Sequence, residues 1–199
     1  SLGVGPEETD LLVAVRQGVD EGTTAHEPTV EGMIEAFGTD APDGVRLVVA
    51  SRIDNIKPGC PCCGVSPEQL LGELEENGRI VICDMEAGVG AVVRAGKADT
   101  VLVVSEPTTK SIEVARRAAE AAAGNADVIV VANRVRDDAD LDAIRAVLGE
   151  HEIVVVPIEP AIARADEQGL APIDVDPDAP GVMRIVELAD RLAGAPQPA

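Results

Sequence analysis

The chain has 199 residues, 46% of them hydrophobic, which is enough to bury one substantial core, so a single domain is expected. Its formal net charge is −20 and it has one aromatic residue, which argues against a nucleic-acid partner because such a chain repels phosphates and offers little for base stacking. No signal peptide and no apolar run long enough to span a membrane are present, so we expect a cytoplasmic protein without a membrane partner.

The N-terminal part predicts two short helices followed by a strand and a cysteine-bearing loop. Apolar side chains recur at helical spacing over residues 6–20 and 29–37, and a turn at 41–44 precedes the apolar run 45–50. The Gly- and Pro-rich loop 51–64 carries three of the four cysteines. Clustered thiols in a reducing compartment indicate metal or redox chemistry rather than a disulfide framework. A capped helix starts near Ser66.

Two apolar runs, 80–83 and 101–104, predict strands that are covered on both faces of a parallel sheet. The first run ends on Asp84 and a Gly-containing turn, and the second ends on Ser-Glu-Pro at 105–107. An acid at the carboxyl end of such a strand lies where open α/β sheets bind ligands, and it often holds Mg²⁺. A turn-capping role for Asp84 is the alternative.

The remaining elements alternate between helix and strand. The sequence predicts helices over 109–124, 138–149, 161–168 and 181–193, strands over 127–133 and 153–156, and a disordered tail over 194–199. This alternation implies right-handed βαβ crossovers and a doubly wound, mostly parallel α/β sheet.

Several motifs, in order, resemble those of one family: GCPC, VICDMEAG, VVSEPTTKSIEVARR, VIVVANR and VVPIEPAIARADEQG. They resemble the CooC-type accessory ATPases that help insert nickel into carbon monoxide dehydrogenase. That family belongs to the MinD/ParA/nitrogenase-iron-protein class of P-loop ATPases with a deviant Walker A motif. The resemblance implies a three-layer MinD-like P-loop NTPase fold, a homodimer with ATP and Mg²⁺ between subunits, and carbon monoxide dehydrogenase as client.

The resemblance also implies roles for individual residues. Asp84 matches the acid of the Walker B-like strand that assists Mg²⁺, and Gly88 matches the switch II glycine that senses the γ-phosphate. Asn133 matches the Asn that reads adenine, and Pro157 and Ile158 match the loop that closes over the base. A turn-forming Asn after a strand is the alternative for Asn133.

Cys60 and Cys62 match the C-x-C of the family, which binds metal across a dimer. The coordination chemistry agrees, because one such loop offers two of four tetrahedral thiolate ligands and a two-fold axis doubles them. Soft thiolates suit Ni²⁺ or Zn²⁺. Cys63 is an additional neighbouring thiol, which leaves the coordinating pair open. A metal-free set of loop thiols is the alternative.

The glycine-rich phosphate loop with its lysine does not occur in these 199 residues. We expect that the chain lacks the first strand, the P-loop helix and the second strand of the family, through truncation, and that it cannot hydrolyse ATP alone. Catalytic residues are therefore not assigned. The alternatives to a nickel metallochaperone are a MinD/ParA-type spatial organiser, which the acidic charge disfavours, and a thiolate metal-binding module that uses no nucleotide.

Overall fold

The computed structural model describes residues 38–47, 80–84 and 98–194, in two units whose boundary in sequence follows Val81. Over these ranges no helix is long and apolar enough to cross a membrane. The elements in chain order are β1 (Thr39–Asp40), β2 (Arg46–Leu47), β3 (Thr100–Ser105), α1 (Thr109–Ala122), β4 (Asp127–Val135), α2 (Asp138–Leu148), β5 (Glu152–Pro157), α3 (Pro160–Gln168), α4 (Pro172–Val175) and α5 (Pro180–Ala193).

Several sequence predictions fall outside the described residues. These are the two helices before residue 38, the cysteine loop with the helix that follows it, and the chain beyond Gly194. Gly194 itself caps α5, donating its N–H to the carbonyl oxygen of Asp190 at 3.0 Å. The single-domain organisation stays a prediction.

In the first unit, β1 and β2 form a short antiparallel hairpin. The turn Pro42–Gly44 joins them, with Asp43 and Gly44 at positive φ, and Arg46 forms an ion pair with Asp40 across the ladder. The predicted turn and the start of the predicted strand are therefore confirmed. The pairing differs from the parallel arrangement expected for this strand, because a three-residue turn can join only antiparallel neighbours.

The segment Ile80–Asp84 is irregular, and the prediction of a buried strand there was wrong for these residues. The side chain of Ile82 is 91% exposed and that of Ile80 is 68% exposed. An apolar run becomes a strand only when neighbouring strands satisfy its backbone groups. Among the described strands, none pairs with this segment.

The second unit contains a three-stranded parallel sheet in the order β3-β4-β5. Parallel neighbours need crossover connections, which α1 and α2 provide. Each begins with a side-chain cap: Thr108 accepts a hydrogen bond from the N–H of Ser111, and Asp137 accepts one from the N–H of Asp140. The predicted elements from β3 to α5 are confirmed to within two residues, and the short α4 was not predicted.

Helices cover both faces of this sheet, which gives the three layers of the predicted α/β architecture. The first cluster joins the sheet to α1 and α2 through Val103, Ile112, Ala115, Ala119, Val130, Ala132, Val135, Ile144 and Leu148. The second cluster joins the opposite face to α5 through Ile129, Val131, Val156 and Leu188. On that face of β3, Leu102 and Val104 remain 41% and 59% exposed, so the prediction that this strand is covered on both faces was wrong.

Candidate functional site

The carboxyl ends of β3, β4 and β5 lie at one edge of the parallel sheet. The register pairs Ser105 with Ala132, and Asn133 with Val156, so the loops that follow the three strands begin side by side. This edge is where open α/β sheets bind ligands. The structure thus brings together three residues predicted from the sequence, Asn133, Pro157 and Ile158.

A bulge shapes the end of β4. The register shifts between Asn133 and Val135, and the inserted residue, Arg134, has φ of 59°. Side chains along a strand normally alternate between the two faces of the sheet. Because the bulge adds one residue to β4, Ala132 and Val135 lie on the same face, and both contribute to the cluster under α1 and α2. Arg134 is directed to solvent, with its side chain 63% exposed. Bulges and left-handed residues other than glycine are concentrated at functional sites.

Asn133 is half-buried at the last regular pair before the bulge. Within the part of the chain that the structure describes, no residue hydrogen-bonds to its side-chain amide. A carboxamide has two N–H donors and one oxygen with two lone pairs. The edge therefore presents a donor and an acceptor side by side, held by the strand and available to a ligand.

The loop after β5 lies beside this amide. The N–H of Ile158 donates to the carbonyl oxygen of Val135 at 2.9 Å, which ties the loop to the residue that follows the bulge. Pro157 is half-buried, while Ile158 is 53% exposed. An exposed apolar side chain is thus fixed near a carboxamide to which none of the described residues hydrogen-bonds.

The loop after β3 adds a charged group at the same edge. Glu106 lies 3.4 Å from Arg134, measured from carboxylate oxygen to guanidinium nitrogen, and both side chains are largely exposed. The N–H of Glu106 donates to the hydroxyl of Ser111 at 2.9 Å, which fixes the loop on α1. Exposed ion pairs of this kind add little stability. Glu106 and Arg134 are not among the site residues predicted from the sequence, and no residue pattern signals a positive φ at an arginine.

The loop after Asn133 is anchored by an ion pair between Arg136 and Asp140. The carboxylate of Asp140, which is buried, accepts hydrogen bonds from the backbone N–H of Arg136 at 3.0 Å and from its guanidinium at 2.8 and 2.7 Å. The pKa of Asp140 is lowered to about 2, mainly by the hydrogen bonds from the Arg136 side chain. Charge-assisted bidentate pairs are the strong class of hydrogen bond.

We predict that this pair makes stability depend on pH. The pKa of Asp140 is lower in the folded chain, so its contribution is fully present above the ordinary pKa near 4 and is lost as the pH falls toward about 2. Urea unfolding should show Asp140→Asn to be less stable than the unmodified protein at pH 7, with the difference shrinking between about pH 4 and about pH 2. A difference that does not change with pH would contradict this assignment.

A second prediction concerns the backbone at Arg134. Because its φ of 59° is unfavourable for a side chain with a Cβ, Arg134→Gly should keep or raise the free energy of unfolding, by up to about 1 kcal/mol. The matched control is Arg145→Gly in α2, where glycine should lower it by about 1 kcal/mol. Chemical denaturation monitored by circular dichroism gives both values. An equal loss in the two variants would show that Arg134 is not strained.

The other predicted site residues are not brought to this edge by the described structure. Asp84 lies in the irregular segment 80–84 and does not follow a strand there. Gly88, Cys60 and Cys62 lie outside the described residues, and among the residues that are described no three His, Cys, Asp or Glu side chains form a group that could hold a metal. Their roles stay predictions.

Comparison with known proteins finds related ATP-binding proteins. No protein-family profile matches the chain. The chain is 30% identical over 195 residues to the uncharacterized ATP-binding protein MJ0823 of Methanocaldococcus jannaschii, a match that covers 88% of this chain and 76% of that protein. It is 27% identical over 200 residues to the carbon monoxide dehydrogenase accessory protein CooC of Rhodospirillum rubrum, covering 89% of this chain and 74% of CooC.

Among solved structures, the MinD cell division protein of Aquifex aeolicus is similar over 54% of this chain and 48% of its own, at 28% identity and a TM-score of 0.39. A TM-score this low adds no support to the fold, which stands on the parallel sheet and its two helical layers. The relationship to MJ0823 extends over most of both sequences. The chain therefore belongs to the same family of ATP-binding proteins as MJ0823, has the α/β architecture of the P-loop NTPases, and is related to CooC.

Proposed function

We propose that the sheet edge formed by Asn133, Pro157 and Ile158 binds the adenine base of ATP, in a cytoplasmic MinD/ParA-like ATPase that serves as an accessory protein. The observation that carries this proposal is the half-buried amide of Asn133, which has no hydrogen-bond partner among the described residues. The relatives of this chain support ATP as the ligand, since MJ0823 is named an ATP-binding protein.

The chemistry of the edge suits adenine. A carboxamide can accept a hydrogen bond from the exocyclic N6 amino group of adenine and donate one to N7, in the bidentate arrangement that Asn and Gln make with this base. On the same edge guanine presents two acceptors, O6 and N7, so one of the two hydrogen bonds stays unmade whichever way the amide is turned. The exposed side chain of Ile158 offers apolar contact to the flat face of the base.

In this proposal, the phosphates of the nucleotide and their Mg²⁺ are bound by residues that were identified from the family resemblance. Asp84 would hold Mg²⁺ directly or through water, because carboxylate oxygens suit this ion. The backbone of Gly88 would respond to the γ-phosphate, so that hydrolysis changes the conformation of the segment around it. Mg²⁺ bound there would neutralise part of the negative charge of the phosphates.

Equilibrium titration with fluorescent methylanthraniloyl nucleotides tests the base site. These 199 residues contain no Trp or Tyr and so contribute little fluorescence of their own. The full-length protein should bind the ATP derivative saturably and at least about tenfold more tightly than the GTP derivative, since an amide set for one base leaves hydrogen bonds unmade with the other. Equal affinities would refute adenine recognition, and absence of binding would refute the nucleotide site.

The accessory role that we propose is nickel delivery to carbon monoxide dehydrogenase, with metal held by Cys60 and Cys62 of two subunits. Its support is the relationship to CooC, which is named an accessory protein of that enzyme, and the C-x-C spacing. Two thiolates from each of two chains complete a tetrahedral set for Ni²⁺ or Zn²⁺. The acidic net charge of −20 also favours attraction of divalent cations.

Metal titration under reducing conditions, with mass followed by light scattering, tests this role. The proposal predicts one metal ion per two chains and a doubling of mass, both lost in Cys60→Ser and in Cys62→Ser. Cys63→Ser is the matched control and should keep both. If metal neither binds nor changes the mass, the metallochaperone role fails, while the nucleotide site remains open to its own test.

A further inference from the structure

We infer that Glu159 is a positioning residue for the base-binding edge: its single carboxylate joins the starts of α3 and α5 and thereby fixes the segment Pro157–Ile158. This inference rests on the proposed function, since it assigns a purpose to the geometry beside the proposed adenine site. No described residue other than Glu159 links these two helix starts through its side chain.

The first half of the link is a local helix cap. Glu159 is the N-cap residue of α3, with extended backbone angles, and its Oε1 accepts a hydrogen bond from the N–H of Ala161 at 3.1 Å. Its backbone carbonyl accepts the N–H of Ile162 at 3.1 Å, which starts the helix. Pro160 follows at the first helical position, where its missing N–H costs nothing.

The second half of the link reaches 22 residues along the chain. The N-cap residue of α5 is Ala179, whose side chain has no acceptor, and the next residue, Pro180, has no N–H. The first N–H of this helix that needs an acceptor is therefore that of Gly181. Oε2 of Glu159 accepts it at 3.3 Å.

Close packing at Gly181 makes this link stiff. A Cβ added at this glycine would lie 2.7 Å from the Cβ of Glu159 and 3.5 Å from the carbonyl oxygen of Pro157. The start of α5 thus packs against the base of the Glu159 side chain rather than against its flexible end. Displacing Gly181 or Glu159 requires a shift of the backbone between β5 and α3.

The segment that this link holds is the one proposed to close over the base. On its other side, the N–H of Ile158 donates to the carbonyl oxygen of Val135, just past the bulge that follows Asn133. The position of Ile158 relative to Asn133 is therefore set by one hydrogen bond to β4 and by Glu159. Loss of the Glu159 link should disturb recognition of the base without touching residues that bind phosphate.

The test compares the base selectivity of variants in the full-length protein, measured with ATP and GTP derivatives. Glu159→Gln keeps the shape but places an NH₂ group against one of the two N–H donors, so only one hydrogen bond survives. We expect the ratio of GTP to ATP dissociation constants to fall about tenfold, close to unity. Glu187→Gln, an exposed substitution in α5, is the matched control and should leave the ratio unchanged.

A merely structural role for Glu159 gives a different result. A lower folded fraction weakens the apparent affinity for both nucleotides by the same factor and leaves their ratio unchanged. Gly181→Ala, which keeps the carboxylate and forces the backbone to shift, should reduce the ratio as Glu159→Gln does. It also provides the readout if Glu159→Gln does not fold.

The outcomes separate the inference from the function on which it rests. If the unmodified protein prefers ATP and the ratio is unchanged in the folded variants at Glu159 and Gly181, the inference is overturned and the proposed base site stands. If the unmodified protein shows no preference for ATP, the proposed function fails first. A reduced ratio in both variants, with the control unaffected, supports the positioning role.

Discussion

Replacing Asn133 by Ala in the full-length protein is expected to weaken ATP binding by about 10- to 100-fold. The substitution removes two hydrogen bonds to adenine, each worth about 0.5–1.5 kcal/mol net, and each 1.4 kcal/mol corresponds to about a factor of ten. GTP binding should change by less than about threefold, because guanine does not match the amide. Titration of both fluorescent nucleotides gives the two affinities.

The chain offers a matched control for this substitution. Asn125 is exposed in the turn after α1, at the opposite end of the sheet, so Asn125→Ala should leave both affinities unchanged. Stability should be nearly unaffected by Asn133→Ala, since no described residue hydrogen-bonds to the amide that is lost. Equal weakening of ATP and GTP by this substitution would show that Asn133 does not read the base.

Ile144→Ala should have the largest effect on stability, a loss of about 2–5 kcal/mol in the free energy of unfolding. Ile144 is fully buried between α2 and the sheet, where it packs in the cluster with Val130 and Leu148. Truncation removes its apolar contacts and leaves a cavity that the surrounding sheet and helices can fill only in part. Urea denaturation monitored by circular dichroism measures the loss.

The control for this prediction lies one turn further along the same helix. Val147 is 41% exposed, so Val147→Ala removes less buried surface and replaces a β-branched residue with the best helix former. Its effect should remain within about 0.5 kcal/mol. Comparable losses in Ile144→Ala and Val147→Ala would contradict the position of the core between α2 and the sheet.

The sequence predicts the second unit well because local and long-range preferences agree there. Val101–Val104 and the runs that follow it are continuous apolar segments bounded by turn residues, and the helices between them have apolar side chains at helical spacing. Caps mark the helix starts, as at Thr108 and Asp137. Alternation of these elements leads directly to a parallel sheet with helices on both faces.

Sequence patterns do not predict the structure correctly where neighbouring strands or helices determine it. The run that begins at Ile80 has the composition of a buried strand, but backbone partners decide whether a strand forms, and a single segment contains no information about them. The prediction for the exposed face of β3 was wrong for the same reason. The sequence predicts that Leu102 and Val104 are buried, but α5 packs over β4 and β5 and does not reach them.

The candidate site was also predicted only in part. Asn133, Pro157 and Ile158 were predicted from a family resemblance, and the parallel register places them at one edge. Glu159 was missed because its second hydrogen bond reaches a glycine 22 residues away, which no local pattern encodes. Arg134 was missed because no local pattern marks the bulge, which shows only in the pairing of β4 with β5 and in the packing of Ala132 and Val135 on one face.

The side-chain amide of Asn133 can be observed directly in a ¹⁵N-labelled protein. The 199 residues contain four Asn and four Gln, so their side-chain NH₂ signals form a small set, and the pair that disappears in Asn133→Asp is that of Asn133. Titration with Mg²⁺ and ADP should shift this pair saturably, and GDP should shift it only at concentrations at least about tenfold higher. If ADP binds while the Asn133 pair stays in place, the adenine site is not at this edge of the sheet.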